Sequence, residues 1–436
     1  MMDSPLNHIV PHIGATILTI AFASLWLVLI AACDQSPQGP PLAVLDSGDV
    51  EIVAFDLDRL TPVGVVAAHP NWSFGESQDQ QGSVPLSEVR DARLLTDGRI
   101  AIINGVDEEI ILVDPDNPGT VRRLAGKGEG PGEAQFICSV FEHEKAIGVY
   151  DLYRREVMYY SSGQYTESWK PPPDGIPGPL YPEIIIPDGD GYYLGDLFAP
   201  WDERESTVVR RTLLVARVSG TLVDTIAIIP GDTGTPMAFA LEELPFGADF
   251  AFSKGRDGLW LGDSDVPQLM FFNRQGDLKR LVRWDSREDR RLTRRRIRRT
   301  RSRALDGKPR TVQARIKRWW KEAPLPSHVP AWGRVLTGID GSVWVSAYPG
   351  PEVDWPRPLP YPRLKWFELD SNGFPVGTLI TPARLKVTGF GPDYLIGIHT
   401  DEMNVETVVR FGISEVPGEP ELSRAPRVPE GSGGGR

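Results

Sequence analysis

The chain has 436 residues, with 47 basic against 59 acidic side chains and a formal net charge of −12. Hydrophobic residues at 41% and charged residues at 24% describe a folded protein with a sizeable core, which excludes a disordered or collagen-like chain. Two cysteines exclude a disulfide scaffold or a cysteine zinc cluster, and the acidic balance argues against a nucleic-acid partner.

Residues 13–32, IGATILTIAFASLWLVLIAA, carry no charge. They are long enough to cross a bilayer as a helix, which takes ~20 residues. They end in Ile30-Ala31-Ala32-Cys33, and small residues beside a cut suit a signal peptidase. The preceding MMDSPLNHIVPH has no Lys or Arg, so two readings of residues 1–32 stay open: a lipoprotein-type signal peptide, or an uncleaved membrane anchor. Both place the body in the cell envelope, facing the periplasm or the exterior. The polar, Pro-rich run that follows makes residues 33–48 a flexible tether. The Ala-Ala-Cys ending resembles the lipobox of bacterial lipoproteins. That resemblance implies that Cys33 is acylated, becomes the first mature residue and holds the protein on a membrane. Cys138, in the apolar stretch Phe136-Ile137-Cys138-Ser139-Val140, then lacks an intrachain partner and reads as a small buried apolar residue.

From about residue 85 a pattern recurs: a Gly-containing turn, a short apolar strand, then a second strand. In the first copy Ala92-Arg93-Leu94-Leu95 leads through Asp97-Gly98 to Ile100-Ala101-Ile102-Ile103. Later copies centre on Val149-Tyr150-Asp151, Tyr192-Tyr193-Leu194, Leu259-Trp260-Leu261, Val343-Trp344-Val345 and Tyr394-Leu395-Ile396. Turns fall near 97, 144, 190, 257, 340 and 392, and the shorter intervals, about 50 residues, suit a four-stranded propeller blade. Evenly spaced short strands argue for an all-β assembly, and a β-sandwich would need fewer strands. Radial closure leaves only short edges. Residues 49–413 are therefore expected to form a six-bladed β-propeller, with Val50-Glu51-Ile52-Val53-Ala54-Phe55 as a spare strand completing the last blade.

Directly after the first copy stands Gly126-Lys127-Gly128-Glu129-Gly130-Pro131-Gly132-Glu133. It resembles the G-x-G-x-G-P-G-E-F signature of a bacterial six-bladed β-propeller family related to NHL-repeat propellers, whose members are often lipoproteins. The segments RLLTDGRIAI from Arg93, Val149-Tyr150-Asp151 and DGSVWV from Asp340 are also similar to that family, and the likeness covers roughly residues 85–412. Ala134 stands where the family has Phe, with Phe136 two residues on. The resemblance implies fold and address more than activity. A phosphate-loop reading of the same run fails, because Lys127 is followed by Gly and glutamates where a Walker loop needs Ser or Thr opening a helix. A tight inter-blade turn needing positive φ explains the glycines.

Candidate chemistry is sparse and no catalytic residue can be named. The mature chain has His69, His143, His328 and His399 without metal-ligand spacing. No cofactor is expected; the alternative is calcium, held in the channel by Asp151, Asp196, Asp249 and Asp263 as in gluconolactonase-type propellers. Residues 283–322 break from the rest: from Arg283 to Lys321 there are 17 Lys or Arg against 4 acids. They read as one or two inserted helices. The structural reading is a solvated helix packed on an acidic ring. The functional one is contact with anionic lipid or another polyanion through Arg294, Arg295, Arg298, Arg299, Lys317, Arg318, Trp319 and Trp320. Residues 414–436 carry no apolar pattern and read as a disordered tail. The expected function is a membrane-tethered module binding a protein, peptide or glycan of the envelope. The alternative is a propeller hydrolase or lyase with a divalent metal in its channel.

Overall fold

In the computed structural model the described residues are 42–75, 84–117, 120–171, 182–189, 191–198, 208–220, 222–236, 241–305, 309–350 and 361–416. The expected signal or anchor at 1–32, Cys33 and all but the first residues of the tail lie outside them. Among the described residues no helix is long and apolar enough to cross a membrane.

Six antiparallel sheets follow one another along the chain, as expected for six blades. The first holds Val89–Leu94, Ile100–Asn104, Glu109–Val113 and Val121–Ala125. The second holds Ile137–His143, Ala146–Asp151, Glu156–Ser161 and Gln164–Trp169. The third runs from Ile184–Asp188 through Gly191–Phe198, Val209–Ser219 and Leu222–Pro236 to Leu241–Glu243. The fourth is Phe250–Lys254, Gly258–Asp263, Gln268–Asn273 and Leu278–Asp285; the fifth is Val335–Thr337, Val343–Ser346, Lys365–Leu369 and Pro375–Ile380. The sixth has Leu385–Phe390, Tyr394–Thr400 and Glu406–Ser414 from the C-terminal part of the chain. All six turns read from the sequence are the same hairpin, joining the first strand of a blade to its second.

Strand position in a blade explains composition. Ile100–Asn104 and Glu109–Val113 are buried along their whole length, so both faces carry apolar residues, whereas Val121–Ala125 on the outside carries the exposed Arg122 and Arg123 and buries only Leu124. Six apolar clusters fill the six joints between neighbouring blades. At the first joint, for example, Ile103, Ile110 and Leu112 meet Ile137, Val149 and Met158. Most of the core thus lies between blades, which makes closure of the ring a condition of burying it.

Closure differs from expectation. Trp72–Phe74, not Val50–Asp56, completes the sixth blade: it pairs with Glu406–Ser414 with Phe74 opposite Val408 and Trp72 opposite Arg410. Val50–Asp56 instead adds in parallel to Leu278–Asp285 of the fourth blade, where Val53 and Phe55 join Trp284 and Phe367 in the core. Ala43–Ser47 pairs on its outer side, making this a six-stranded sheet. The expected tether at 33–48 is therefore shortened at its end by an ordered edge strand.

Candidate interaction surface

The glycine signature is a clasp between the first two blades. Gly128 N–H donates to the Ala134 carbonyl at 3.0 Å and Ala134 N–H to the Gly126 carbonyl at 2.8 Å. Glu133 turns back so that its carboxylate accepts from Gly130 N–H at 2.8 Å. Arg154 donates to the Gly130 and Glu133 carbonyls, and Tyr160 to the Gly132 carbonyl. Gly132 sits at φ +76° against Tyr165, and a Cβ on Gly128 would meet the Glu133 carboxylate. Ala134 is fully buried at the joint, while Phe136 stacks on Tyr153 and lies under the Arg90 guanidinium at 4.0 Å. The Gly128 and Gly130 N–H groups and the Glu133 carboxylate are thus engaged in the clasp itself.

Three of the four aspartates proposed for the channel have local partners of their own. Asp151 is buried and accepts backbone N–H bonds from Gln135, Phe136, Tyr153 and Arg154. Asp263 pairs with Arg210 across the joint of the third and fourth blades. Asp249 caps its own Phe250 N–H, and Asp196 lies buried in the second strand of the third blade. Among the described residues no three His, Cys, Asp or Glu side chains stand together as a metal site.

The channel carries a different carboxylate, missed in the sequence because Arg-Asp-Ala-Arg looks like an ordinary strand. Asp91, on the innermost strand of the first blade, bonds Arg93 at 2.9 Å. Burial alone would raise its carboxyl; the charge and hydrogen bond of Arg93, with the charges of Arg334 and Lys386, hold it below its ordinary value. Arg334 and Lys386 also bridge blades, donating to the Val387 and Arg90 carbonyls. Cys138 is half-buried on the innermost strand of the second blade. Burial, with Asp151 nearby, pushes its thiol up to about 12.

The basic insertion is a helical hairpin: α1 spans Arg294–Leu305 and α2 spans Arg310–Glu322. Its apolar residues turn inward. Ala304, Ile316 and Trp320 are buried with Phe246 from the third-to-fourth-blade connection and Val329, and Tyr348 from the fifth blade packs against them. Trp320 meets Phe246 edge-on at 5.8 Å, and half-buried Trp319 meets Trp320 the same way. The two tryptophans of the expected contact thus serve the hairpin's own core. Arg294, Arg295, Arg298, Arg299, Lys317 and Arg318 are all exposed. None of the six has a carboxylate partner among the described residues.

The tether reaches the ring beside this hairpin. Ala43 lies opposite Ala54, which lies opposite Arg283, two residues before the end of the strand that leads into the hairpin. Arg287 N–H then donates to Asp58, tying the two connections together at 2.6 Å. Leu42 lies nine positions after Cys33, with eight residues between them. At ~3.3–3.6 Å per position the two are at most about 30 Å apart.

No protein-family model matches the chain, and no curated protein matches it. Solved structures do. An exported protein of Bacteroides fragilis aligns at 11% identity and TM-score 0.44, over 84% of this chain and 100% of its own. Virginiamycin B lyase from Staphylococcus aureus aligns at 11% and 0.38, over 86% and 99%. The calcium-binding protein regucalcin from Agrobacterium tumefaciens aligns at 8% and 0.33, over 80% and 96%. What this chain has in common with them is the propeller ring; it is a six-bladed β-propeller.

Proposed function

We propose that this propeller is a binding module held at an envelope membrane, with its helical hairpin lying on anionic lipid headgroups and its opposite face free for an envelope ligand. The observation that carries the reading is the excess positive charge of α1, in which Arg296 alone has a carboxylate partner, Glu288, among the described residues. It has seven arginines in 12 residues and no acid. Arg294 and Arg298, Arg295 and Arg299, and Arg299 and Arg303 are like charges one turn apart, an arrangement that destabilises a helix by a few tenths of a kcal/mol per pair, ~0.2–0.5. Three arginines also open the helix at the positive end of its dipole. An anionic surface offsets both effects. The tether supports the same orientation, because it joins the ring at the root of the hairpin, so an acylated Cys33 would keep α1 within about 30 Å of the bilayer. Held within that range the hairpin meets the surface often, and once it is within a Debye length the headgroup attraction of about 1 kcal/mol per basic residue suffices for docking.

The test uses the full chain in nanodiscs of phosphatidylcholine or phosphatidylglycerol. Hydrogen exchange in α1 and α2 should slow in the anionic discs, and the protection should disappear at high salt. Charge reversal by Arg294→Glu, Arg295→Glu, Arg298→Glu and Arg299→Glu should abolish the difference between the two lipids. Equal exchange of the unaltered hairpin in both lipids overturns the reading.

A further inference from the structure

On the face away from the hairpin, the second and third blades enclose a groove of about 650 Å³. That volume is within the ~300–1,000 Å³ of small-molecule sites. Its walls are aromatic. Trp169 stacks on Tyr192 at 4.5 Å with 22° between the planes, and His143 lies 5.4 Å from Tyr192 and 5.7 Å from Tyr159. The Tyr159 and Tyr192 hydroxyls bond each other across the joint, so the ring positions are fixed by both blades. Around the rings stands a polar rim of Glu144, Glu167 and Ser168, all exposed. Neither the Trp169 indole N–H nor the His143 ring nitrogens have hydrogen-bond partners among the described residues.

We infer that this groove is a binding site for a neutral oligosaccharide. Three features select that class. Tyr159 and Tyr192 are buried and back the half-buried Trp169, which lies near-parallel on Tyr192, while His143 is tilted 34° to Tyr192 and 40° to Tyr159. The Trp169 ring, held from behind, is the platform for the flat, C–H-bearing face of a sugar. An ammonium cage would need ring faces meeting steeply around one point. The rim offers carboxylates, a hydroxyl and free ring nitrogens, which match the dense donors and acceptors at the edge of a sugar ring. Its two glutamates oppose an anionic ligand, and Lys145 beside them offsets one of the two charges. The inference deepens the binding-module reading by naming the ligand class, yet the groove does not depend on the hairpin or on lipid charge.

The experiment titrates the full chain, in phosphatidylcholine nanodiscs where the hairpin has no anionic surface, with N-acetylglucosamine, glucose and mannose tetramers by calorimetry. At least one should bind saturably. Trp169→Ala should weaken that binding at least about tenfold, which is 1.4 kcal/mol. Trp169→Phe, which keeps a stacking ring, should stay within about threefold, and Glu167→Gln should keep the fold while changing the preference among sugars. Absence of saturable binding by all three tetramers overturns the inference, as does equal binding by Trp169→Ala. Saturable uptake of choline or of an aromatic peptide in the groove, without any sugar, overturns it in favour of those ligands. None of these outcomes bears on lipid docking.

Discussion

Arg90 and Glu108 meet in a two-point ion pair, at 2.6 and 2.7 Å, where the first blade joins the second. The same carboxylate accepts the Ile137 N–H at 2.8 Å, and Arg90 donates to the Ile137 carbonyl at 2.9 Å. Glu108 therefore joins the blades through charge and backbone at once. Its replacement by Ala leaves a partly buried guanidinium and a buried N–H unpaired, a loss of about 3 kcal/mol. Calorimetric unfolding should show a lowered midpoint for Glu108→Ala. The double variant with Arg90→Ala should lose less than the sum of the single changes.

Trp72–Phe74 closes the ring together with Val65–Val66, which also pairs with Glu406–Ser414, and the buried side chain of this closure is Phe74. It is buried among Val89, Ile396 and Val408, where the last blade meets the first. Phe74→Ala should cost about 3 kcal/mol or more by cavity formation and loss of packing. Leu45, on the outermost strand of the fourth blade, is 59% exposed. Leu45→Ser should change stability by no more than about 0.5 kcal/mol. Comparable losses from the two would contradict the assignment of the closing strand.

The glycine signature predicts unequal consequences for its glycines. Gly132 has φ +76°, and a Cβ there would sit 2.8 Å from Tyr165 Cβ; Gly126 has open space and no positive φ. Gly132→Ala should destabilise by about 1–3 kcal/mol. Gly126→Ala should be neutral or slightly stabilising, through a smaller unfolded-state entropy. Denaturant midpoints of the two variants settle the matter.

These contrasts show how much of the molecule the sequence makes legible. The six hairpins are readable because Asp-Gly and related turns between apolar runs have a local cause. Partner choice is not local. Val50–Asp56 has the stronger apolar pattern and is indeed a strand, but Val53 and Phe55 complement the space around Trp284, which no spacing rule reveals. Trp72–Phe74 is too short to register a period. The basic run is visible as charge, whereas the inward turn of Trp319 and Trp320 depends on Phe246 and Tyr348 from distant connections. The aromatic groove is the least legible, since His143, Tyr159, Trp169 and Tyr192 converge only after two blades dock.

Asp91 makes stability depend on pH in a definite sense. Its folded carboxyl lies below the ordinary 3.8, so the ionised form contributes stability above that value, and the contribution is lost as pH falls through the lower folded value. Asp91→Asn should therefore be less stable than the unaltered protein at neutral pH. The gap should close progressively below pH 3.8. A gap independent of pH across that range would mean that the Arg93 hydrogen bond matters and the charge does not.

Thiol counting tests Cys138 and Cys33 together. With its thiol pushed up to about 12, Cys138 holds very little thiolate near neutrality, and the thiolate is the reactive form. In its half-buried place beside the Tyr150 and Glu183 carbonyls the effect of burial outweighs the lowering charge of Arg90. Native protein at pH 8 should show no fast reaction with a disulfide reagent. Unfolding restores the ordinary thiol and exposes it. If Cys33 carries lipid through its sulfur, unfolded full-length protein yields one reactive thiol of the two cysteines in the chain. Two reactive thiols after unfolding, one of them already fast in the native state, would instead show a free Cys33 and an uncleaved or unacylated segment. Fast native labelling of Cys138 itself, read by peptide mapping, would contradict its burial.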